Sequence, residues 1–461
     1  MFIGREQELK KLQDSLESSK SEAILIYGRR RVGKTYLVNE ALKKEKSTIV
    51  LQYVFRDVSA QINIMEFGKY LAQFFNEPFL NFDNLDNILK YLATKIKGKR
   101  AILVLDEYPF LRKKDAGIDS FFQRFIDETF SSLQLKIIFL GSYLDIMTSM
   151  IEKEAPLFGR MNLILKIETF DYYDASLFLD KQVSIEDKFK YYAVFGGLGF
   201  TLSLINNKKS FEENLLSLFI ESDSILEREL NTIVQTEISK ESDAKYLFEL
   251  IAHGIHNYSD LEKHFKSEGL GNNIAYLMNK LVDMSLIKKE SHLNNNKRNS
   301  LYYLKDNLLD FYYSFLFKNI NSRAVMSPKA FFKTIEESFE KVYLPRKFED
   351  VSKEFLIRLN RKSTNPLFEE IGTYAYNDRY TKQNSQFDIV TRIKDEYTDY
   401  ECKYLERLLN KNDYVEEVEC IKKLDLSFSK VCFIVKKGVD KTFPKDVTNY
   451  KLIDFYKNPL D

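Results

Sequence analysis

Short apolar runs alternate with helical patterns through the first part of the chain. The apolar runs occupy residues 23–27, 48–54, 101–105 and 135–140, and segments with apolar residues at helical spacing lie between them. Buried parallel strands appear in a sequence as continuous apolar runs, and strands that alternate with helices predict a parallel sheet covered by helices. We therefore expect an α/β fold in this part of the chain.

The pattern changes near residue 243. Three short helical segments are followed by two strand-like segments, 286–290 and 301–304, which can pair across an Asn-rich turn. Three helices and a hairpin predict a winged helix, whose third helix would enter a DNA major groove. The same module can instead bind proteins. The candidate DNA contacts are Asn272, Asn273, Asn279, Lys280, Lys297 and Arg298.

Length and composition describe an ordinary globular protein of several domains. The chain has 461 residues, 44% hydrophobic and 30% charged, and this length predicts roughly three domains. The formal net charge is only +1, so the chain is not a polyelectrolyte and any nucleic-acid site must be a local patch.

The sequence predicts a cytoplasmic protein without a membrane segment. Charged residues stand near the start of the chain, where a signal peptide would need an apolar segment, and no apolar run approaches membrane-spanning length. The cysteines are few and lack C-x-x-C spacing, so neither a disulfide framework nor a zinc site is expected. They are Cys402, Cys420 and Cys432.

A phosphate-binding loop follows the first apolar run. The segment fits G-x-x-x-x-G-K-[ST], and a predicted strand before it and helix after it supply the context that separates such loops from a chance glycine turn. We expect its backbone N–H groups to hold the phosphates of ATP, Lys34 to reach the β- and γ-phosphates, and the Thr35 hydroxyl to hold Mg²⁺. Its residues are Gly28, Arg29, Arg30, Arg31, Val32, Gly33, Lys34 and Thr35.

A second acidic motif completes the predicted nucleotide site. Asp106 and Glu107 follow the apolar run 101–105. A carboxylate at the carboxyl end of a buried parallel strand lies beside the phosphates, so Asp106 can hold Mg²⁺ and Glu107 can act as general base toward the attacking water.

Three further polar residues have two interpretations each. Ser142 follows the strand at 135–140 and can either contact the γ-phosphate or cap the next turn. Arg160 can either stabilise transition-state charge as an arginine finger, in cis or from a neighbouring subunit, or pair with a carboxylate. Arg5 can touch adenine or be an ordinary surface residue.

The order of these motifs resembles the archaeal-type P-loop ATPase family, a STAND-like branch of the AAA-related ATPases. The resemblance implies a parallel sheet with the phosphate-loop strand at its centre, a helical lid, and the roles given above to Lys34, Thr35, Asp106, Glu107, Ser142 and Arg160. Members usually carry Gly-Gly-x-Pro near the end of the lid. This chain has Gly196-Gly197-Leu198-Gly199, which still predicts a tight turn.

The C-terminal part predicts a second chemical site. Residues 386–390 and 398–403 alternate as two strands of a hairpin, which places Asp388 and Glu401 on adjacent strands and Lys403 on the same face as Glu401. Such a set can bind Mg²⁺ through the two carboxylates and use the lysine on the scissile phosphate of DNA. It can also be a plain solvated face.

The segment that begins near Tyr303 resembles the start of the C-terminal domain of the same ATPase family, a PD-(D/E)XK nuclease-like domain of unknown function. With this resemblance, we expect an ATPase core at 1–165, a helical lid at 166–240, a winged helix at 241–306 and a restriction-endonuclease-like α/β domain at 307–461. The predicted function is an ATPase whose nucleotide state regulates action on DNA. The alternative is a signalling or scaffold ATPase of the STAND type with an inactive C-terminal domain, which binds a protein partner or forms a homo-oligomer.

Overall fold

The computed structural model describes residues 2–457 except 79–81, 83, 116, 239–240, 271–273, 291, 294–299, 378–383 and 423–427. The chain divides into two compact units, Met1–Thr169 and Phe170–Asp461. The domain boundaries expected from the sequence, at residues 165/166, 240/241 and 306/307, stay predictions.

The first unit contains a parallel sheet covered by helices, as the sequence predicts. Its strands, in the described part of the unit, are β1 (Glu22–Tyr27), β2 (Ile49–Val54), β3 (Arg100–Asp106), β4 (Gln134–Gly141) and β5 (Met161–Lys166). Its helices are α1 (Glu6–Glu17), α2 (Lys34–Leu42), α3 (Ala60–Phe74), α4 (Leu85–Ile96), α5 (Pro109–Arg112), α6 (Ile118–Thr129) and α7 (Leu144–Ser149).

The strand order corrects one expectation. The five strands lie in the order β2-β3-β4-β1-β5, so β4 is the middle strand and β1, which precedes the phosphate loop, is next to an edge. The central apolar residues of β1, β3 and β4 are fully buried, because helices cover both faces of the sheet. All pairings are parallel, so the carboxyl ends of these three strands meet at one edge.

A buried polar triad holds the turn that follows β3. The Tyr108 hydroxyl donates to Asp119 Oδ1 at 2.7 Å, and Arg112 Nε donates to Asp119 Oδ2 at 2.6 Å. Arg112 also donates to the Ile146 carbonyl and to Ser149 Oγ at 2.9 and 2.7 Å. Because Tyr108 directly follows Glu107, this network positions the end of β3.

The second unit begins with helices and ends with a mixed sheet. Its helices are α8 (Tyr172–Ser176), α9 (Ile185–Phe195), α10 (Gly199–Ser203), α11 (Phe211–Leu215), α12 (Ile225–Glu237), α13 (Glu241–Ala252), α14 (Tyr258–Ser267), α15 (Ile274–Asp283), α16 (Asn307–Phe311), α17 (Ile320–Val325), α18 (Pro328–Ser338), α19 (Leu344–Lys362) and α20 (Lys411–Lys422). Its strands are β6 (Ile287–Glu290), β7 (Leu301–Leu304), β8 (Glu370–Asn377), β9 (Asn384–Ile393), β10 (Glu396–Lys403), β11 (Phe428–Val435) and β12 (Asn449–Lys451).

The predicted lid helices pack with the C-terminal part of the chain inside this unit. The last carbonyls of α9 accept hydrogen bonds from the Asn307 side chain and the Tyr343 hydroxyl, at 2.8 Å to Tyr192 and 2.9 Å to Ala193. The expected glycine turn follows α9. Gly196 has a φ of 66°, and a Cβ on Gly197 would lie 1.8 Å from the Phe170 carbonyl oxygen, so neither position tolerates a side chain without strain.

The predicted three helices and hairpin are present as α13, α14, α15, β6 and β7. The two strands pair antiparallel, and the residues expected to face inward on α15 are buried: Ile274, Leu277, Met278 and Leu281. Asn279 is exposed on the same helix and Lys280 is half-buried. Four candidate DNA contacts lie outside the described residues: Asn272, Asn273, Lys297 and Arg298.

The C-terminal sheet has the strand order β12-β11-β10-β9-β8 in the described part of the chain. Strands β8, β9 and β10 pair antiparallel, whereas β10, β11 and β12 pair parallel. Helix α19 packs against β9 and β10. Helix α20 packs through Tyr414 against an apolar cluster that contains Phe433 and Phe443.

Within the parts of the chain that the structure describes, none of the helices has the length and apolar character needed to cross a bilayer.

We expect Asp119→Ala to destabilise the first unit by about 3–5 kcal/mol, because the change leaves the Arg112 guanidinium without its carboxylate and the Tyr108 hydroxyl without its acceptor. Urea unfolding followed by circular dichroism measures this change. The control is Tyr108→Phe, which removes one hydrogen bond and should cost about 1 kcal/mol. Equal effects of the two substitutions would contradict a role for the whole triad.

Candidate functional site

The phosphate loop joins the carboxyl end of β1 to the first turn of α2. Gly33 has a φ of 101°, a conformation that glycine adopts without strain. A Cβ on Gly28 would lie 2.3 Å from the Ile167 carbonyl oxygen, so the start of the loop requires glycine for a close backbone approach. Arg29 and Val32 are buried, whereas Arg30 and Arg31 are exposed on the loop.

The Lys34 ammonium lies buried at the centre of the site. Its Nζ donates to the carbonyl oxygens of Gly28 and Arg29 at 2.9 and 3.0 Å and to Ser142 Oγ at 2.9 Å. A lysine that is 6% exposed therefore lies where the loop, the start of α2 and the end of β4 converge. This is where a bound anion would meet both the helix N-terminus and a fixed positive charge.

Thr35 and Asp106 form a pair of oxygen ligands at the same edge. Thr35 Oγ1 donates to Asp106 Oδ2 at 2.8 Å, and the other carboxylate oxygen accepts from the Glu107 N–H at 2.8 Å. A hydroxyl and a carboxylate are the hard oxygen ligands that Mg²⁺ prefers. The two residues fit a magnesium ion.

Glu107 lies beside this pair in an environment that favours its neutral form. Its φ is 50°, an uncommon value for a residue with a side chain. Its Oε1 accepts from Ser142 Oγ at 3.2 Å, and its Oε2 is buried without a hydrogen-bond partner among the described residues. Burial raises the pKa of the Glu107 carboxyl, while the nearby Lys34 ammonium lowers it.

The structure brings the predicted residues of the nucleotide site together around one edge of the sheet. Ser142 bridges the site, since its hydroxyl accepts from Lys34 and donates to Glu107. Contact of this serine with the γ-phosphate stays a prediction.

Arg5 is a buried residue, and its contact with adenine stays a prediction. Its side chain is buried, and Nη2 donates to the carbonyl oxygens of Val32 and Glu168 at 3.0 and 2.6 Å. The arginine therefore ties the phosphate loop to the segment after β5. Sequence reasoning missed this positioning role because a side chain-to-carbonyl contact leaves no pattern in the sequence.

Arg160 pairs with a carboxylate, which is the second of the two interpretations that the sequence left open. Its guanidinium pairs with both carboxylate oxygens of Asp127 at 2.8 Å and donates to the Pro156 and Phe158 carbonyls. Asp127 lies on α6, and the ion pair that it forms with Arg160 is partly exposed to solvent. An arginine-finger role would require this pair to break.

The C-terminal unit holds a second set of ionisable groups. The antiparallel register, which pairs Tyr400 with Ile389, brings Asp388 beside Glu401 on neighbouring strands. Lys403 forms an ion pair with Glu401, as expected from their shared face. The predicted Asp388, Glu401 and Lys403 are therefore close together.

Carboxylates dominate the electrostatics of this second set. Burial and the Glu401 charge raise the pKa of Asp388 to about 7. Burial and the charges of Asp388, Asp350 and Glu401 raise the pKa of Glu349, on α19, to about 9. Burial lowers the pKa of Lys403, but the Glu401 carboxylate stabilises the ammonium, and together with other nearby carboxylates it leaves this pKa raised. The cluster carries more acidic groups than Lys403 can neutralise.

Two known families match separate segments of the chain. Residues 2–204 match the family described as "ATPase domain predominantly from Archaea". Residues 312–418 match a family described as "Archaea bacterial proteins of unknown function".

Similar proteins occur among the curated archaeal sequences. An uncharacterized protein of Methanocaldococcus jannaschii is 29% identical over 382 residues, which cover 81% of this chain and 82% of that protein. An uncharacterized ATP-binding protein of the same organism is 44% identical over 46 residues, 10% of this chain and 78% of that protein.

Among solved structures, the Walker-type ATPase of Pyrococcus abyssi is 20% identical, with a TM-score of 0.45 over 68% of this chain and 96% of that one. The ORC2 protein of Aeropyrum pernix is 16% identical, with a TM-score of 0.46 over 70% of this chain and 95% of that one. By these family matches, residues 2–204 are similar to an ATPase domain found predominantly in Archaea, and residues 312–418 are similar to archaeal and bacterial proteins of unknown function.

Proposed function

We propose that this protein binds and hydrolyses ATP and that its nucleotide state regulates the C-terminal parts of the chain in an action on DNA. The observation that carries the ATPase half of this proposal is the convergence of Lys34, Ser142 and Glu107 at the edge where Thr35 meets Asp106. The convergence combines a phosphate-binding lysine, a hydroxyl and a carboxylate that can hold Mg²⁺, and a second carboxylate that can act as a base, which are groups used in phosphoanhydride hydrolysis.

Phosphate binding uses the loop backbone and Lys34. The N–H groups of the loop and the positive end of α2 attract the β- and γ-phosphates. The Lys34 ammonium already has oxygen acceptors in the loop carbonyls, and phosphate oxygens would compete for the same protons with a full negative charge. Thr35 and Asp106 would hold Mg²⁺, which supplies charge neutralisation at the phosphates when it is bound.

Glu107 acts as the general base in hydrolysis. Its carboxylate takes a proton from a water molecule, the water oxygen attacks the γ-phosphorus, and the bond to the β–γ bridging oxygen breaks, so that ADP and phosphate form. Ser142 orients Glu107 through its hydroxyl, and Lys34 stabilises the charge that develops on the transferred phosphoryl group. If Arg160 takes part, in cis or from a neighbouring subunit, it must first be released from Asp127.

The action on DNA rests on the C-terminal carboxylates. Asp388 and Glu401 on adjacent strands, with Lys403 beside them, can bind Mg²⁺ and stabilise the charge on a phosphodiester in the transition state. Keeping several acidic groups buried together costs free energy, which argues for a retained function rather than for the inactive domain of the scaffold alternative.

Lys34→Ala should abolish measurable ATP binding and lower the ATPase rate by about 10²–10³-fold, because it removes the charge that meets the phosphates. Glu107→Gln should retain ATP binding but lose hydrolysis by about 10²–10⁴-fold. Phosphate release and nucleotide-binding titrations measure the two effects. The matched control is Lys43→Ala, since that lysine lies exposed at the end of the same helix. Hydrolysis unchanged in Glu107→Gln would refute the assigned base.

As the pH is lowered, ATPase activity should fall at a higher pH than it would if the general base were a glutamate with an ordinary pKa. Burial raises the Glu107 pKa above its usual 4.5, and a general base works only when deprotonated. Activity is therefore full above the raised pKa and falls as the pH drops through it. The acid limb of kcat/KM reports this group in the free enzyme. A limb at or below pH 4.5 would contradict this interpretation.

DNA cleavage should depend on Mg²⁺ or Mn²⁺ and be lost in both Asp388→Asn and Lys403→Ala. Linear, supercoiled and single-stranded DNA are the substrates, each with and without ATP. Asp395→Asn is the control, because this exposed aspartate lies in the turn between β9 and β10. If ATP regulates the reaction, Lys34→Ala should remove the effect of ATP.

Salt-dependent DNA binding distinguishes a protein that acts on DNA from the scaffold alternative. Affinity that arises from neutralising backbone phosphates falls steeply as the salt concentration rises. No cleavage and no salt-dependent binding, with ATP hydrolysis intact, would favour the signalling or scaffold function.

A further inference from the structure

The face of the C-terminal sheet that carries Glu401 also carries a second aspartate. Parallel pairing of β10 with β11 places Asp399 beside Val431 and Glu401 beside Phe433. Alternation along both strands points these four side chains to one face of the sheet. Phe433 and Val431 belong to the apolar cluster against which Tyr414 packs, so α20 covers this face.

The packing of α20 directs one acidic side chain at that aspartate. Tyr414 contacts Phe433 and Phe443, with ring centroids 6.2 and 6.1 Å apart, and Ile421 packs against the apolar residues of β8 and β9. Glu417 lies between these two contacts, three residues after one and four before the other, on the same side of the helix. The helix therefore aims Glu417 at the sheet.

Asp399 is completely buried, with an exposed fraction of 0%. Among the residues that the structure describes, neither of its carboxylate oxygens has a hydrogen-bond partner. A buried carboxylate without a donor costs several kcal/mol and is rare in folded proteins. The lysine nearest to it in sequence, Lys403, pairs with Glu401 instead. The two oxygens of Asp399 could therefore serve as ligands of a cation.

The three acidic groups have the spacing of ligands on one ion. One oxygen from each of Asp399, Glu401 and Glu417 lies within 4.8 Å of the others. Oxygens that bind the same Ca²⁺ or Mg²⁺ ion lie at most about 4–5 Å apart, since each is about 2.0–2.6 Å from the metal. A set made only of carboxylates selects hard divalent cations such as Mg²⁺, Mn²⁺ or Ca²⁺.

We propose that Asp399, Glu401 and Glu417 form a divalent-cation site that fastens α20 to the C-terminal sheet and is separate from the position between Asp388 and Glu401. Glu401 is shared by the two positions and has two oxygens with which to serve them. Asp399 is the buried ligand, and Glu417 closes the site from the helix. The site has a structural role that does not depend on DNA cleavage.

Titration of the intact, nucleotide-free protein with Mn²⁺, with free Mn²⁺ followed by electron paramagnetic resonance, tests this site directly. Asp399→Asn and Glu417→Gln should each weaken one equivalent of binding by at least about tenfold, since even loss of an outer partner of a metal ligand costs about 10–100-fold. Asp388→Asn should leave that equivalent in place. Glu416→Gln is the matched control, because this glutamate is exposed and adjacent on α20.

Thermal unfolding supplies a second readout. With Mn²⁺ the wild type should gain stability, as ligand linkage requires, and Asp399→Asn should not. If Asp399→Asn fails to fold, the same measurements on Glu417→Gln test the site, because Glu417 is only half-buried.

Three results would overturn the proposal. They are wild-type Mn²⁺ binding unchanged in both Asp399→Asn and Glu417→Gln, no Mn²⁺ binding by the wild type, and loss of the same equivalent in Asp388→Asn. The last result would show one merged site. Absence of DNA cleavage would not bear on the outcome, so failure of the proposed DNA action and failure of this site remain distinguishable.

Discussion

The parallel register of β1, β3 and β4 is the constraint on which the nucleotide site depends. Tyr27 lies beside Gly141 and Leu105 beside Phe139, so the three strands end at the same edge. The residues at these strand ends therefore meet without any long loop. Gly28, Asp106 and Ser142 arrive there from three distant parts of the chain, and Lys34 connects two of them.

Most buried charges in the molecule have partners of opposite charge. Asp310 lies between Arg346 and Lys347, and Glu227 pairs with Arg323. Such sets balance the cost of removing charges from water. The group formed by Glu349, Asp388, Asp399, Glu401 and Glu417 departs from this rule, because Lys403 is its main cation. Burial and mutual repulsion raise the pKa of several members. A divalent cation would restore the balance at this sheet.

The two units thus contain two centres of related chemistry. Each places carboxylates at the end or on the face of a buried strand and adds a lysine, and in the proposed function each would bind a divalent cation next to a phosphate. They differ in how the lysine is held. Lys34 donates to two carbonyls and a hydroxyl, whereas Lys403 forms an ion pair with Glu401.

Local patterns in the sequence were sufficient for elements whose signal lies within a few neighbouring residues. Apolar runs marked the strands of the first sheet, glycine spacing marked the phosphate loop, and alternation placed Glu401 and Lys403 on one face of β10. The same alternation contains Asp399, two residues before Glu401, but only burial distinguishes it from an ordinary surface aspartate.

Tertiary structure alone decided the features that depend on which distant residues meet. Strand order moved β1 away from the centre of the sheet, because apolar runs predict strands but not their neighbours. Arg5 donates a hydrogen bond to the Val32 carbonyl, and Arg160 forms an ion pair with Asp127. Glu417 joined Asp399 only through the packing of α20 on the sheet. Contacts between side chains far apart in sequence have no local periodicity, so the positions of strands and helices in space determine them.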